Sequence, residues 1–496
     1  MNDTNFKKLK SGTDIRGTAV GESYDLTDEI ISKIAMAFAI LLSEKANKKI
    51  ENLSVAVGRD SRVSGPRIRD VIIKTLTSIG IKVYDCSLAS TPAMFMSTID
   101  IPCDGAIQIT ASHHPYDRNG LKFFTPEGGF ESEDITRLLE YAQTRTAEEA
   151  EGSVTAVDYM SDYANRLCEV VRRGADGEFP LEGFHIIVDA GNGVGGFYAE
   201  KVLKTLGADI SGSQFLEPDG YFPNHTPNPE DAKAMESICH ATMAAKADLG
   251  IIFDTDVDRA GCVDSTGKEI NRNRLIALAA AIALEDNKGG TIVTDSITSG
   301  GLKIFIEEEL KAKHCRFKRG YKNVINEAKR LNDTGINAPL AIETSGHAAL
   351  RDNYFLDDGA YLMTQIIIKA AKLKKQGKTI NDITKNLKEP AETLELRFNI
   401  LTQDFKSYGE KVINGLEDYA KDGGWQIAQD SREGIRISFP KGEGDGWLLL
   451  RLSVHDPNMP LNIESDEIGG TKTIARKLAG YLLQCEQLDT TPIKNI

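Results

Sequence analysis

The sequence predicts an α/β chain of three related doubly wound α/β domains plus a smaller C-terminal α+β domain. Three observations carry this. A β-rich run ending in Asp, then a polar turn, then a helix-spaced segment, occurs near residues 53, 185 and 291. The intervals exceed 100 residues, which marks duplicated domains and excludes solenoid repeats. After about Pro390 the pattern changes to strand-like runs around a Gly-rich loop.

The first copy is LSVAVGRD (53–60), then RIRDVIIKTLTSIG at helical spacing, then a strand at IKVYDC. The second is HIIVD (185–189), AGNGVGG, a helix through YAEKVLKTLG and a strand in ADISGSQFL. The third is TIVTD (291–295), SITSGG, a helix through LKIFIEEELKA and HCRFKRG. Each is strand, turn, helix, strand, the pattern of a doubly wound sheet that binds ligands at the carboxyl ends of its strands. The last domain shows strands at LELRFNI, GIRISF and WLLLRLSVH and a closing helix, TKTIARKLAGYLLQ. The expected domains are 1–157, 158–270, 271–389 and 390–496.

With 59 basic and 73 acidic residues the net charge is −14, and no Lys/Arg block stands out. Nucleic acid and anionic membrane are therefore not expected partners. An anionic ligand must be gripped by a few placed cations against that field. The seven cysteines are scattered without a CxxC pair, which excludes a disulfide framework or zinc site and fits a reducing compartment. The opening MNDTNFKKLKSG lacks an apolar core, and the apolar run at 275–284 is too short to span a bilayer. A soluble, cytoplasmic protein without a signal peptide is expected.

Five segments could carry chemistry. In IQITASHHPYDRNGLKFF (107–124) a strand delivers Ser112 to a turn, where it is a nucleophile if something activates it; alone, the segment fits a turn without chemistry better. Adjacent Ser and His residues seldom face one another. In LGIIFDTDVDRAGCVD (249–264) an apolar strand runs into Asp254, Asp256 and Asp258, with Arg259 beside them. Three carboxylates at this spacing repel unless a cation sits among them, and oxygen ligands suit Mg²⁺. Calcium is disfavoured, since Arg259 and Ser265 replace the Gly and Glu of an EF-hand loop. VDAGNGVGG (188–196) matches GxGxxG, with Glu217 about where a ribose-binding acid would stand, but a tight strand-to-helix turn explains it better. In AIETSGHAAL (341–350), Glu343, Ser345 and His347 alternate and offer groups for sugar hydroxyls, or simply a loop with a satisfied His. In LRLSVHDPNMPLNIES (450–465), Arg451, Ser453 and His455 alternate at a strand end and suit a phosphate, or are solvated.

Taken together and in order, SGTDIRG, TASHHP, DTDVDR, ETSGH and RLSVHDP resemble the signatures of the α-D-phosphohexomutase family, which includes phosphomannomutases, phosphoglucomutases and phosphoglucosamine mutases. The resemblance spans essentially the whole chain and implies four domains around a central cleft. It implies that Ser112 is a phosphoserine that donates to substrate, and that Ser112, Asp254, Asp256 and Asp258 hold one Mg²⁺. Lys122 and Arg16 match positions associated with acid/base work, and His113 would support the serine loop. Arg259 would line the cleft; Glu343, Ser345 and His347 would bind sugar hydroxyls. Arg451, Ser453 and His455 would hold the unreacting phosphate. Tyr321 and Lys322, in RGYKN, fall at the family's third-domain specificity loop.

The implied reaction interconverts hexose 1-phosphate and hexose 6-phosphate, with a hexose 1,6-bisphosphate as intermediate and activator. The expected partner is a small phosphosugar; the sequence is silent on oligomeric state. Four departures from the family pattern stand out: His114, Thr255 with Val257, Ile342 before Glu343, and His455 in place of a Thr. Gly346-His347 points toward phosphomannomutase or phosphoglucosamine mutase, and the phosphate loop favours phosphomannomutase with phosphoglucomutase activity. Two rivals remain at this stage. One is a haloacid-dehalogenase-type phosphatase with Asp254 as nucleophile, although Asp258 stands where that motif wants Thr or Val. The other is an inactive sugar-phosphate-binding protein.

Overall fold

Strand Ser54–Arg59 is buried at its four central positions, as a parallel strand covered on both faces must be. In the structure, a computed structural model that describes residues 6–453 and 456–496, it pairs in parallel with Lys82–Leu88 and Gly105–Ile109. The sheet runs Lys10–Ser11, Asp14–Thr18, Arg118–Thr125, Gly105–Ile109, Ser54–Arg59, Lys82–Leu88, Ser153–Ala156. Side chains alternate across it. Val55, Val57, Ile107, Ile109, Leu121 and Phe123 join one apolar core with helices Asp28–Ala46, Gly65–Thr77 and Ser132–Thr144. On the opposite face helix Thr91–Asp100 packs Phe95 against Phe124 and Met94 over Gly58, which has no room for a Cβ. Thr27 and Ser90 cap the helices that begin after them.

The chain forms two compact units, 1–271 with 345–349 and 356–380, and 272–344 with 350–355 and 381–496. The first unit also holds the sheet Glu269–Ile270, Ala260–Asp264, Leu249–Phe253, Ile186–Asp189, whose last two strands are parallel. The strand expected in ADISGSQFL is reduced to isolated bridges, His185 to Asp209 and Asp189 to Gln214. Turn chemistry interrupts it: Asp209 accepts the amide of Ser211, and Ser213 donates to the Ile210 carbonyl. The helix after the glycine turn is only Tyr198–Leu203, with π-type hydrogen bonding.

In the second unit Thr291–Thr294 lies between Lys313–Arg316 and Leu340–Ile342, all parallel. Its helix is Gly300–Ile304, prolonged by a π-type turn through Glu309. The C-terminal part is an antiparallel sheet ordered Glu392–Asn399, Asn458–Ser465, Gly446–Leu450, Ile435–Phe439, Gln426–Ile427. Helices Phe405–Asp422 and Gly470–Leu482 cover it, with Phe398, Leu416, Ile437, Leu448, Leu461 and Ile474 in its core. The strand Asn458–Ser465 is hidden in the sequence by Pro460, which keeps its place because its carbonyl still accepts the Arg451 amide. The strand preceding Arg451 ends at Leu450, so Arg451 and Ser453 sit in the loop after it. Among the described residues no helix is long and apolar enough to cross a membrane.

Within the first unit the buried hydroxyl of Tyr163 donates to Asp358 at 2.7 and 2.8 Å. Asp358 also caps helix Gly359–Lys374 through the Tyr361 amide. Tyr163→Phe is expected to lower stability by about 1–3 kcal/mol, because a buried carboxylate loses its hydroxyl donor. A urea-unfolding midpoint equal to that of the wild type would contradict this role.

Candidate active site

Strand Leu249–Phe253 is buried at every position and delivers Asp254 at its carboxyl end. Asp254, Asp256 and Asp258 follow in a fully buried loop, with one oxygen of each within 4.8 Å of the others. The loop closes on itself: the Arg259 amide donates to Asp254 Oδ1, and the Val257 amide to the Asp254 carbonyl. Val257 stands at φ +68°, a left-handed conformation unusual for a β-branched residue.

Ser112 lies at the end of strand Gly105–Ile109 and its short extension, at φ +50°. Its Oγ donates to Asp254 Oδ2 at 3.0 Å and accepts from Arg259 Nη2 at 3.2 Å. Contrary to the expectation for neighbouring residues, His113 Nδ1 is 3.3 Å from that Oγ, an approach the left-handed turn permits. Arg259 holds the same ring nitrogen at 2.5 Å and Asp254 at 3.1 Å. His113 therefore serves as an acceptor, and burial followed by Arg259 pushes its pKa down to about 2. Lys122, on strand Arg118–Thr125, lies 3.2 Å from Asp258 and 3.4 Å from Asp14. Arg16 donates to the same Asp14 oxygen at 3.0 Å.

Burial raises the pKa of Asp254 and Asp256, and their carboxylate neighbours push the same way. For Asp258 burial is outweighed by Lys122, His347 and Arg259, and its pKa falls. His347 in turn is raised to about 9: burial opposes protonation, but Asp357 at 2.6 Å and Asp258 prevail. The donor set fits a divalent cation. Oδ1 of Asp256 and of Asp258 are buried and accept no hydrogen bond from the described residues, which leaves lone pairs that a hard cation would satisfy.

Ser345 is buried in the first unit with His347. The second unit places Glu343 as acceptor of the Gly320 amide at 2.6 Å, beside the half-exposed Tyr321 and Lys322 at the start of helix Tyr321–Asp333. Arg451 is buried, 3.6 Å from Glu433, and Ser453 follows it. His455 lies outside the described residues.

Several residues that touch these groups are silent in the sequence. Thr91 donates to Asp256 at 2.5 Å, Asn228 accepts from Arg259 at 3.1 Å, and Asp14, Asp357 and Glu433 supply counter-charges. Their only signal would be a polar residue at a strand or helix end. The glycine turn 191–196 lets the aspartate loop approach. Val194 donates to the Thr255 carbonyl at 2.9 Å, and Asp189 braces the turn through Gly191 and His225.

Three signatures described as phosphoglucomutase/phosphomannomutase alpha/beta/alpha domains I, II and III match residues 7–150, 159–267 and 271–390. The phosphoglucomutase of Neisseria gonorrhoeae is 31% identical over 474 residues, 95% of each chain. The chain belongs to the phosphoglucomutase/phosphomannomutase family. It is thereby an enzyme of the isomerase class, a phosphohexomutase. The phosphomannomutase/phosphoglucomutase of Pseudomonas syringae is 30% identical over 83% of each chain. A crystal structure of a phosphoglucomutase/phosphomannomutase family protein from Burkholderia thailandensis superposes with a TM-score of 0.80 at 25% identity, covering 99% of this chain and 100% of the other. Three family α/β/α domains plus a further C-terminal domain match the expected fold class.

Two outcomes are expected in this mutase. A Cβ at Gly193 would lie 2.6 Å from the Thr255 carbonyl oxygen, so Gly193→Ala must displace the Asp254–Asp258 loop. Turnover should drop by about 100-fold, as a misplacement near 1 Å does, with the protein still folded; unchanged kcat would refute the contact. In EDTA, His347 should contribute stability fully below pH ~6.5 and lose it as pH rises through its folded value of about 9. Urea midpoints of wild type and His347→Gln should therefore converge with rising pH, and parallel curves would remove His347 from the account.

Proposed function

We propose that this mutase interconverts hexose 1-phosphate and hexose 6-phosphate, on mannose and/or glucose, with Ser112 as the phosphoryl carrier. The observation that carries the reading is the convergence on one hydroxyl: Ser112 Oγ contacts Asp254 at 3.0 Å and Arg259 at 3.2 Å, at the rim of the triple carboxylate. That setting suits a group that gains and loses a phosphate, since Arg259 can donate to its oxygens.

On this reading segment 1–157 carries the serine loop, 158–270 the metal loop, 271–389 the sugar loop and 390–496 the phosphate loop. Phosphorylated Ser112 donates to one hydroxyl of the hexose phosphate: the bond from phosphorus to Ser112 Oγ breaks, and a bond to the sugar oxygen forms. The hydroxyl proton passes through Lys122 to the Asp14 carboxylate 3.4 Å beyond it, so that Lys122 ends charged as it began; Arg16 stays charged and stabilises. The resulting 1,6-bisphosphate turns over, and its other phosphate returns to Ser112. Asp254, Asp256, Asp258 and a phosphoserine oxygen would hold Mg²⁺, which offsets phosphate charge during transfer. Glu343, Ser345 and His347 bind sugar hydroxyls, while Arg451, Ser453 and His455 hold the idle phosphate. Tyr321 and Lys322 belong to the specificity loop. Hexose 1,6-bisphosphate is the activator, because unphosphorylated Ser112 has nothing to donate. The family relationship does not favour the phosphatase, inactive-binder or phosphoglucosamine mutase readings.

Labelling with ³²P-hexose 1,6-bisphosphate should yield an acid-stable phosphopeptide containing Ser112, and Ser112→Ala should abolish turnover. An acid-labile label on Asp254 would overturn the carrier assignment. With Mg²⁺ and bisphosphate present, kcat/KM should favour mannose 1-phosphate and glucose 1-phosphate over glucosamine 1-phosphate; a preference for the amino sugar would reverse the substrate choice.

A further inference from the structure

Arg62 touches neither the carboxylate cluster nor the Ser112 hydroxyl, yet it is a fully buried side chain at 0% exposure beneath the serine loop. A guanidinium so deep in the protein must have its donors satisfied. It donates to four backbone carbonyls of one turn: that of Ser112, His114 at 2.5 Å, Pro115 at 2.6 Å and Arg118 at 2.9 Å. Its Nε lies 3.3 Å from Asp60 Oδ2. Asp60 in turn accepts the Thr110 hydroxyl at 2.7 Å, and Thr110 Oγ1 accepts the Ser112 amide at 2.9 Å. One buried ion pair thus reaches both the carbonyl and the amide of Ser112. That residue stands at φ +50°, a region that side chains other than glycine avoid. The turn does not hold this conformation through glycine, so something outside it must.

The other face of Arg62 is closed by the second domain's loop. The Phe222 ring centre is 5.2 Å from the guanidinium carbon, and Gly220 lies so near the Ser61 carbonyl that a Cβ there would collide with it. Farther along the same loop, Asn228 and Glu230 engage Arg259 at 3.1 and 3.6 Å. One segment, 220–230, therefore touches two guanidiniums: Arg259 against the Ser112 hydroxyl, and Arg62 against the Ser112 backbone.

We propose that Arg62 is a positioning residue for phosphoryl transfer, holding Ser112 in the left-handed conformation that aims its Oγ at Asp254 and Arg259. The proposal rests on Ser112 being the phosphoryl carrier. A planar fork of five donors reaches four carbonyls at once; a lysine ammonium offers three donors from a single point. Arg62→Lys therefore keeps the charge beside Asp60 and loses the fork.

The test uses full-length wild type, Arg62→Lys and Phe222→Leu, with glucose 1-phosphate as substrate, glucose 1,6-bisphosphate as activator and Mg²⁺ present. Three quantities are read for each protein: kcat and KM, the rate of ³²P uptake at Ser112, and the thermal midpoint. In Arg62→Lys, kcat per folded molecule and the labelling rate should fall together by about 100-fold. KM should move by less than about threefold, because the substrate contacts are untouched. Phe222→Leu should lower the same two rates by about tenfold. A lower midpoint with kcat and labelling unchanged would make Arg62 merely structural and overturn the proposal. If Arg62→Lys does not fold, Phe222→Leu decides, and wild-type rates in it overturn the proposal. Should the wild type itself take up no label at Ser112, the carrier reading fails first and the proposal falls with it; label in the wild type with unaltered rates in the variants refutes Arg62 alone.

Discussion

Three carboxylates buried at the end of one strand are the constraint that organises the first unit. Asp254, Asp256 and Asp258 are essentially inaccessible and within 4.8 Å of one another, an arrangement that mutual repulsion and lost hydration both oppose. Lys122, Arg259 and His347 approach them from three different parts of the chain, and Thr91 adds a hydroxyl donor. Each cation has a second anchor: Asp14 for Lys122, Asn228 and Glu230 for Arg259, Asp357 for His347. The strands and loops carrying these anchors are therefore fixed relative to the aspartate loop by charge as well as by packing. Among the described residues two oxygens of the cluster, one on Asp256 and one on Asp258, have no hydrogen-bond donor, and a cation would complete it.

The same economy explains how a net charge of −14 coexists with a phosphosugar ligand. Three of the cations expected to meet such a ligand, Lys122, Arg259 and Arg451, are buried, where the effective dielectric is low and screening weak. Arg62 and Arg259 are almost wholly withdrawn from solvent, and Arg451 in the second unit nearly so. Burial lowers the pKa of Arg62 and Arg451 from the ordinary guanidinium value without bringing either near neutrality at physiological pH. A surface lysine would interact far more weakly with a phosphate than a buried guanidinium such as that of Arg259 can.

Much of this was legible in the residues. The strand-turn-helix pattern at 53, 185 and 291 and the run of aspartates each report local chemistry, and local chemistry is written in adjacent residues. Ser112, Asp254 and Arg259 were legible for that reason, and the contact of Ser112 Oγ with Asp254 joins positions 142 apart that only the fold brings together. Arg62, Asp14 and Asp357 were not legible, because each looks like an ordinary surface charge until its partner is known. The strand at Asn458–Ser465 was masked by Pro460, and the strand expected after Gly207 gave way to turns at Asp209 and Ser213. In both places a turn-forming or ring residue competes with the ladder, and tertiary pairing decides the outcome.

The two sides of the aspartate loop show which glycine requirements can be escaped. Val257 adopts φ +68°, where a β-branched residue costs on the order of 1–2 kcal/mol. Its side chain is completely buried, which contributes about 1.5–3 kcal/mol in return, so the strained residue is tolerable without a glycine. Gly193 faces the same loop under a different demand. There the limit is space, because the Thr255 carbonyl occupies the position of a Cβ and Val194 donates to that same oxygen. A conformational cost can be offset by burial elsewhere in the side chain, whereas an occupied volume cannot. The aspartate loop can therefore accept Val at 257 while the facing Gly193 must remain glycine, and the position of the three carboxylates is set from the side where no substitution fits.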